Sequence, residues 1–320
     1  ANNIFIMWAT GQRLINSIAA ARLVSSASDA VLKIAIGTIA ATGATLLGAY
    51  LLGLTATFAF FLVLLMVLNN LPRLRWVLFY KRLEHAFLRH RKFFQLGLLE
   101  SLFTTVGMQA PVLLFAGIFG TAEAALLFLA LQIMRAPITL ISNAVGRVYL
   151  SELTNAQKNQ IVIELTREHL GIIAKTGIPL LILLGLTGSA FAGWIFGPDY
   201  SDLTYYMLYM LPWMTMVMLT APFTTVLYSY ERFQLALYLA ILGACLRIGS
   251  VFFSYALDLD PVLTLAIASI ATYLLYIISI SHIIGIGLRG WFNPLLDAAP
   301  RILVVSTVGI LIILAGGRIL

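Results

Sequence analysis

The chain has 320 residues, 61% of them hydrophobic and only 10% charged, with a net charge of +7. Soluble domains carry about 25% charged residues, and uncharged runs such as Ile34 to Pro72 and Leu203 to Tyr230 exceed the roughly 20 apolar residues that a bilayer span needs. The composition therefore predicts an all-α polytopic membrane protein and excludes a soluble enzyme, a disordered chain and a disulfide framework, the lone Cys245 having no partner in the chain. Excess positive charge, which would suggest nucleic acid in a soluble chain, is here to be placed relative to the spans, and no nucleic-acid partner is expected.

In chain order, residues 1–10 read as the end of a helix, apolar from Ile4 to Trp8, with no initial Met and no charged n-region. That pattern predicts no signal peptide and a first bundle lacking its opening helices. Spans follow at about 24–45 and 48–70, so that residues 1–70 form the end of an N-terminal transmembrane lobe. In the first of these spans Asp29 and Lys33 stand four residues apart, the spacing of a helical ion pair. The pair reads as structural or, alternatively, as a candidate ion-coupling site.

Residues 71–92 form a basic linker, with seven Lys and Arg against the single acid Glu84. It reads either as a topogenic loop facing anionic lipid or as a docking site for a cytosolic partner. Placing it in the cytoplasm puts Arg13, Arg22, Arg147, Lys158, Arg167, Arg232, Arg289 and Arg301 on the same side by alternation. Glu123, Asp199, Asp202, Asp258 and Asp260 fall on the other side, where only Arg318 runs against the trend, as the positive-inside rule requires.

Residues 93–286 read as a six-helix lobe with spans near 95–118, 124–147, 168–196, 203–229, 235–257 and 262–286, and residues 287–320 add a helix near 300–317. The pattern of residues 4–53 recurs weakly at 223–272, an offset that predicts two lobes related by an axis along the membrane normal. The expected architecture is two helical bundles around a central cavity.

Charges inside spans are costly, about 2.5 to 3.5 kcal/mol each at a helix centre, unless they face water or a partner. Arg135 and Arg247 lie nearest the middle of their spans. Around Arg135, the residues Gln132, Thr139, Ser142, Asn143 and Gly146 share a helical face, with Pro137 expected to kink the helix; around Arg247, Gly243, Ser250 and Ser254 form a narrower stripe. Two readings stand: a structural one, with each Arg in a buried salt bridge to Asp29 or Glu100 or bound by its fork to free carbonyls near a kink, or the lining of a wet cavity that binds substrate through Arg135, Arg247, Gln132, Thr139, Asn143 and Ser250. Glu100, with Thr104 and Gly107 one and two turns on, reads either as a proton site or as the partner of Arg135. Lys175 is expected to snorkel and His282 to sit at the interface.

Neither His nor Cys shows metal-ligand spacing and no phosphate loop follows a strand, so no catalytic group, metal or cofactor is expected. The methionines from Met207 to Met218 read as packing. Trp194, Trp213, Tyr200, Tyr205 and Tyr206 read as an aromatic belt at the outer interface.

A resemblance emerges from residues 91–152. Arg91-Lys92-Phe93, Gln109-Ala110-Pro111-Val112-Leu113-Leu114, Phe119-Gly120, Leu131-Gln132-Ile133-Met134-Arg135, Pro137 and Asn143-Ala144-Val145-Gly146 resemble the start of the second lobe of bacterial O-antigen and exopolysaccharide flippases. Phe196-Gly197-Pro198-Asp199-Tyr200, Leu211-Pro212-Trp213 and Tyr230-Glu231-Arg232-Phe233 are similar to the same family in the same order, and Arg13 with Ala20-Ala21-Arg22-Leu23 is similar to its first lobe. Glu100 departs from the pattern, which has a small residue there.

The resemblance implies the fold of the multidrug/oligosaccharidyl-lipid/polysaccharide exporters, a multi-pass protein of the bacterial inner membrane. It implies as substrate a polyprenyl-pyrophosphate-linked oligosaccharide, moved to the periplasmic leaflet by alternating access. Arg135 and Arg247 would form the family's cationic lumen, the lipid tail would stay in the membrane, and a polysaccharide polymerase is a candidate partner. A cation antiporter of the same superfamily is disfavoured by central arginines, and a polymerase or ligase by outward loops of only a few residues.

Overall fold

The structure is a computed structural model that describes residues 48, 52, 55, 91–155, 159–197, 200 and 202–316. The chain divides into two compact units, Ala1–Arg89 and His90–Leu320. The expectations for Asp29, Lys33, the basic linker up to residue 90 and the internal repeat lie outside the described residues.

The described part of the second unit is helical throughout, with no strand among the described residues. Its helices are α1 (Arg91–Ile118), α2 (Thr121–Asn155), α3 (Asn159–Ile172), α4 (Ile178–Phe196), α5 (Leu203–Thr220), α6 (Thr225–Ser229), α7 (Phe233–Ala256), α8 (Pro261–Ile284) and α9 (Leu288–Gly316). A π-helical turn at Ile173–Gly177 joins α3 to α4, and a 3-10 turn at Ala221–Thr224 joins α5 to α6. Merged across these turns, seven helical stretches are long and apolar enough to cross a membrane. The protein is an all-α, multi-pass membrane protein.

Span boundaries agree closely with hydropathy for α1, α7 and α8. Helix α2 continues through Pro137 to Asn155, and α9 starts at Leu288 rather than near 300. The reason is packing: Arg289, Asp297, Pro294 and Pro300 depress hydropathy over the first turns of α9, yet Trp291 is buried there with its ring 5.4 Å from that of Phe223. Helix α9 belongs to the same compact unit as α1 to α8.

Small residues set the closest helix approaches. A Cβ on Gly107 of α1 would lie 3.0 Å from the Cα of Ala244 on α7, so only glycine permits this contact. The methionines fill the interior as expected, Met207, Met210, Met214 and Met218 of α5 being buried. Asp260 caps α8, its Oδ1 accepting from the amides of Val262 and Leu263, each at 2.9 Å. The connections alternate between two ends, and the described Lys and Arg outside mid-span positions gather at one of them, together with Glu152, Glu164, Glu168, Glu231 and Asp297. Arg147, Arg167, Arg232, Arg289 and Arg301 share one end, opposite Glu123, Asp202, Asp258 and Asp260, and the positive-inside rule would make the basic end the cytoplasmic one.

Candidate functional site

Helix α7 brings Arg247 into the interior of the second unit, where it is only 4% exposed. Its Nε donates to Ser269 Oγ of α8 at 3.2 Å, and its guanidinium carbon lies 5.3 Å from the ring centre of Tyr273 and 5.9 Å from that of Trp213. Among the described residues no carboxylate lies within 4.0 Å of it. A buried guanidinium with a neutral hydroxyl and two aromatic faces gains roughly 0.5 to 2 kcal/mol from each ring. That offsets its insertion cost but leaves its positive charge uncancelled.

Beside Arg247 is a cavity of about 190 Å³ bounded by α1, α5, α6, α7 and α8. Polar groups converge on it from four of these helices: Glu100 and Thr104, Tyr228, Arg247, and Thr272, Tyr273 and Tyr276. Gly243 makes the space, since a Cβ there would lie 2.7 Å from Thr272 Cγ2 and 3.6 Å from Arg247 Nη1. At about 30 Å³ per water in the liquid, the volume corresponds to roughly six waters.

Glu100 of α1 forms part of the wall of this cavity. Its Oε2 accepts from the Tyr228 hydroxyl at 2.7 Å and its Oε1 from Thr104 Oγ1 at 3.0 Å. Of its two expected roles, partnership with Arg135 is not the arrangement seen. Arg135 is half-buried and its Nη2 points to Met108 Sδ at 3.4 Å. Arg135 and Arg247 nonetheless lie within electrostatic range of each other and of Tyr273.

The remaining expected site residues are distributed differently. Gln132, Thr139 and Asn143 are exposed along one face of α2 and do not line the cavity. The Thr139 hydroxyl donates to the backbone carbonyls of Arg135 and Ala136, and Ser250 Oγ donates to the carbonyl of Arg247. Both are thus satisfied within their own helices, as Ser and Thr in apolar helices commonly are. Trp213 does not belong to an outer belt: it is 1% exposed, at mid-helix, against Arg247. Tyr206 is also buried, with its hydroxyl donating to Glu123.

Sequence reasoning missed Tyr228, Ser269, Thr272, Tyr273 and Tyr276. A signal existed in α8, where Ser269, Thr272, Tyr273 and Tyr276 recur at three- and four-residue spacing and mark one face.

The model of a family described as "Polysaccharide biosynthesis protein" matches residues 14–205, well over half of the chain. The chain belongs to that family. No curated protein and no solved structure matches it. As a member of the polysaccharide biosynthesis family, the protein carries Glu100 and Arg135 inside the matched region, whereas Tyr228, Arg247, Tyr273 and Tyr276 lie beyond it. The cavity of this family member is therefore built from both the matched and the unmatched portions.

Proposed function

We propose that the protein moves a polyprenyl-pyrophosphate-linked oligosaccharide from the cytoplasmic to the periplasmic leaflet of the bacterial inner membrane by alternating access. Family membership supplies the link to polysaccharide, and the spans supply the membrane. The observation that carries the reading is Arg247, buried within a span beside a polar cavity and unneutralised by any carboxylate among the described residues.

A pyrophosphate cannot cross about 30 Å of hydrocarbon unaided. A guanidinium offers it a fixed fork of donors, which Lys does not. The cavity is large enough for a phosphate group but not for an oligosaccharide, so transport requires it to widen toward each side in turn. Transport rather than bond-making is supported by the outward connections of the second unit, which at Phe119–Gly120 and Leu257–Asp260 are a few residues long.

The test is Arg247→Ala in cells that depend on the protein for polysaccharide export. Lipid-linked repeat units are expected to accumulate on the cytoplasmic face while the protein still inserts. Single repeat units attached outside would instead indicate a polymerase, and undiminished export would refute the proposal.

A further inference from the structure

A second cavity, of about 650 Å³, lies between α3, the π-helical turn that follows it and the first half of α9, away from Arg247. Its walls present three cations, Arg167, Lys175 and Arg301, and two carboxylates, Glu168 and Asp297. Among the described residues none of these cations has a carboxylate within 4.0 Å. The transport reading does not use this cavity. We propose that it binds the headgroup of an anionic glycerophospholipid from the cytoplasmic leaflet.

Three features of the walls support a built site. Lys175 sits in the middle of the π-helical turn Ile173–Gly177, a departure from α geometry often found at functional sites. Opposite it, Gly290 opens the floor of the cavity: a Cβ there would lie 3.5 Å from Arg167 Nε, so the guanidinium lies against the backbone of α9. The carboxylates add acceptors for hydroxyls to the donors that the three cations offer a phosphodiester, which suits a glycerol headgroup better than a bare phosphate monoester.

The lipid source follows from what lies above the cavity. Gly290 approaches Arg167, and Gly309 approaches Leu186 with a Cβ position 2.8 Å from its Cδ1. Both pairs share one offset in residue number, so α9 runs parallel to α3–α4 in fixed register. Ile172 of the cavity wall and Val304, three residues beyond Arg301 on α9, are 43% and 62% exposed. An acyl chain leaving a headgroup held by Lys175 and Arg301 meets this apolar surface directly. Basic pockets between helices on the cytoplasmic side are a recurrent means of holding anionic lipid headgroups.

The experiment uses the purified full chain with phosphatidylglycerol carrying a photoreactive headgroup, and phosphatidylcholine carrying the same group as comparison. Labelling is expected on the segments 167–176 and 290–301 with the phosphatidylglycerol probe and not with the phosphatidylcholine probe. Label elsewhere, or equal label with both probes, would overturn the proposal.

In native mass spectrometry, retention of phosphatidylglycerol should fall roughly fivefold for each of Arg167→Gln, Lys175→Gln and Arg301→Gln, and about a hundredfold for the triple variant. Unchanged retention by a triple variant that melts like the parent refutes the assignment; if that variant does not fold, the wild-type labelling decides alone. Displacement of the probe by polyprenyl phosphate or inorganic phosphate, but not by unlabelled phosphatidylglycerol, would assign the cavity to the carrier lipid or to free phosphate and likewise overturn it.

Discussion

Two glycines on α7 offer a matched test of the Arg247 cavity. A Cβ added at Gly243 would stand 2.7 Å from Thr272 Cγ2, about 0.7 Å inside the 3.4 Å at which ordinary contact begins, whereas Gly249 has nothing within 4 Å. Thr272 cannot easily yield, because its hydroxyl donates to the carbonyl of Ala268 at 2.9 Å and its branched side chain has few rotamers in a helix. Gly243→Ala must therefore push α8 from α7 next to Arg247, an overpacking cost of about 1 to 3 kcal/mol. Both substitutions gain up to about 1 kcal/mol of helix propensity. The difference between them isolates the steric term: Gly243→Ala should be less stable than Gly249→Ala by about 1 to 3 kcal/mol. Thermal unfolding in detergent, read against export in cells, measures both consequences. Export should fall for Gly243→Ala and persist for Gly249→Ala. Equal stability and equal export for the two variants would refute the view that α7 and α8 are closely fitted around Arg247.

Other substitutions probe the site more locally. Tyr228→Phe leaves Glu100 with one fewer donor and should cost about 1 to 3 kcal/mol in thermal unfolding, with export reduced. Arg247→Lys should fail to restore export to the level of the parent, since a point charge replaces a fork; full activity would show that charge alone suffices. Ser250→Ala should export normally, because the hydroxyl bonds its own helix. Asp260→Ala removes the cap of α8 and should cost about 0.5 to 2 kcal/mol in the same unfolding assay, without changing the substrate carried.

The spans were largely legible in the sequence because α1, α7 and α8 are bounded by abrupt changes in polarity. Helix α9 was not, since its first turns mix Arg289, Asp297, Pro294 and Pro300 with apolar residues, and only burial of Trp291 against Phe223 shows that they are packed helix. Arg247 stood out as a cation in an apolar run, but its surroundings did not. Tyr228, Tyr273 and Tyr276 come from α6 and α8, and their convergence depends on helix rotation, which hydropathy does not encode. Polarity was also an unreliable guide in itself. Thr139 and Ser250 suggested wet faces, yet each hydroxyl is taken up by a carbonyl one turn back or less, so a polar stripe in an apolar helix need not mark water.

Under the proposed transport reading the cavity of Arg247 has to widen, and its walls differ in what widening would break. On the α1 side, Gly107 and Ala244 meet so closely that separating α1 from α7 forfeits a tight backbone contact, with little to replace it in lipid. On the other side, the cavity wall includes Val217, Ala221, Thr224 and Leu227, the residues that flank and form the 3-10 turn between α5 and α6. Pro222 withholds one amide there, so a change of angle at Ala221–Thr224 disrupts fewer α-helical hydrogen bonds than bending α7 or α8 would. Tyr228 lies just beyond that turn and holds Glu100 across the cavity. If the widening that the proposed function requires takes place at this turn, the Tyr228–Glu100 bond is expected to break while the Gly107–Ala244 contact persists, and normal export by Tyr228→Phe would count against it.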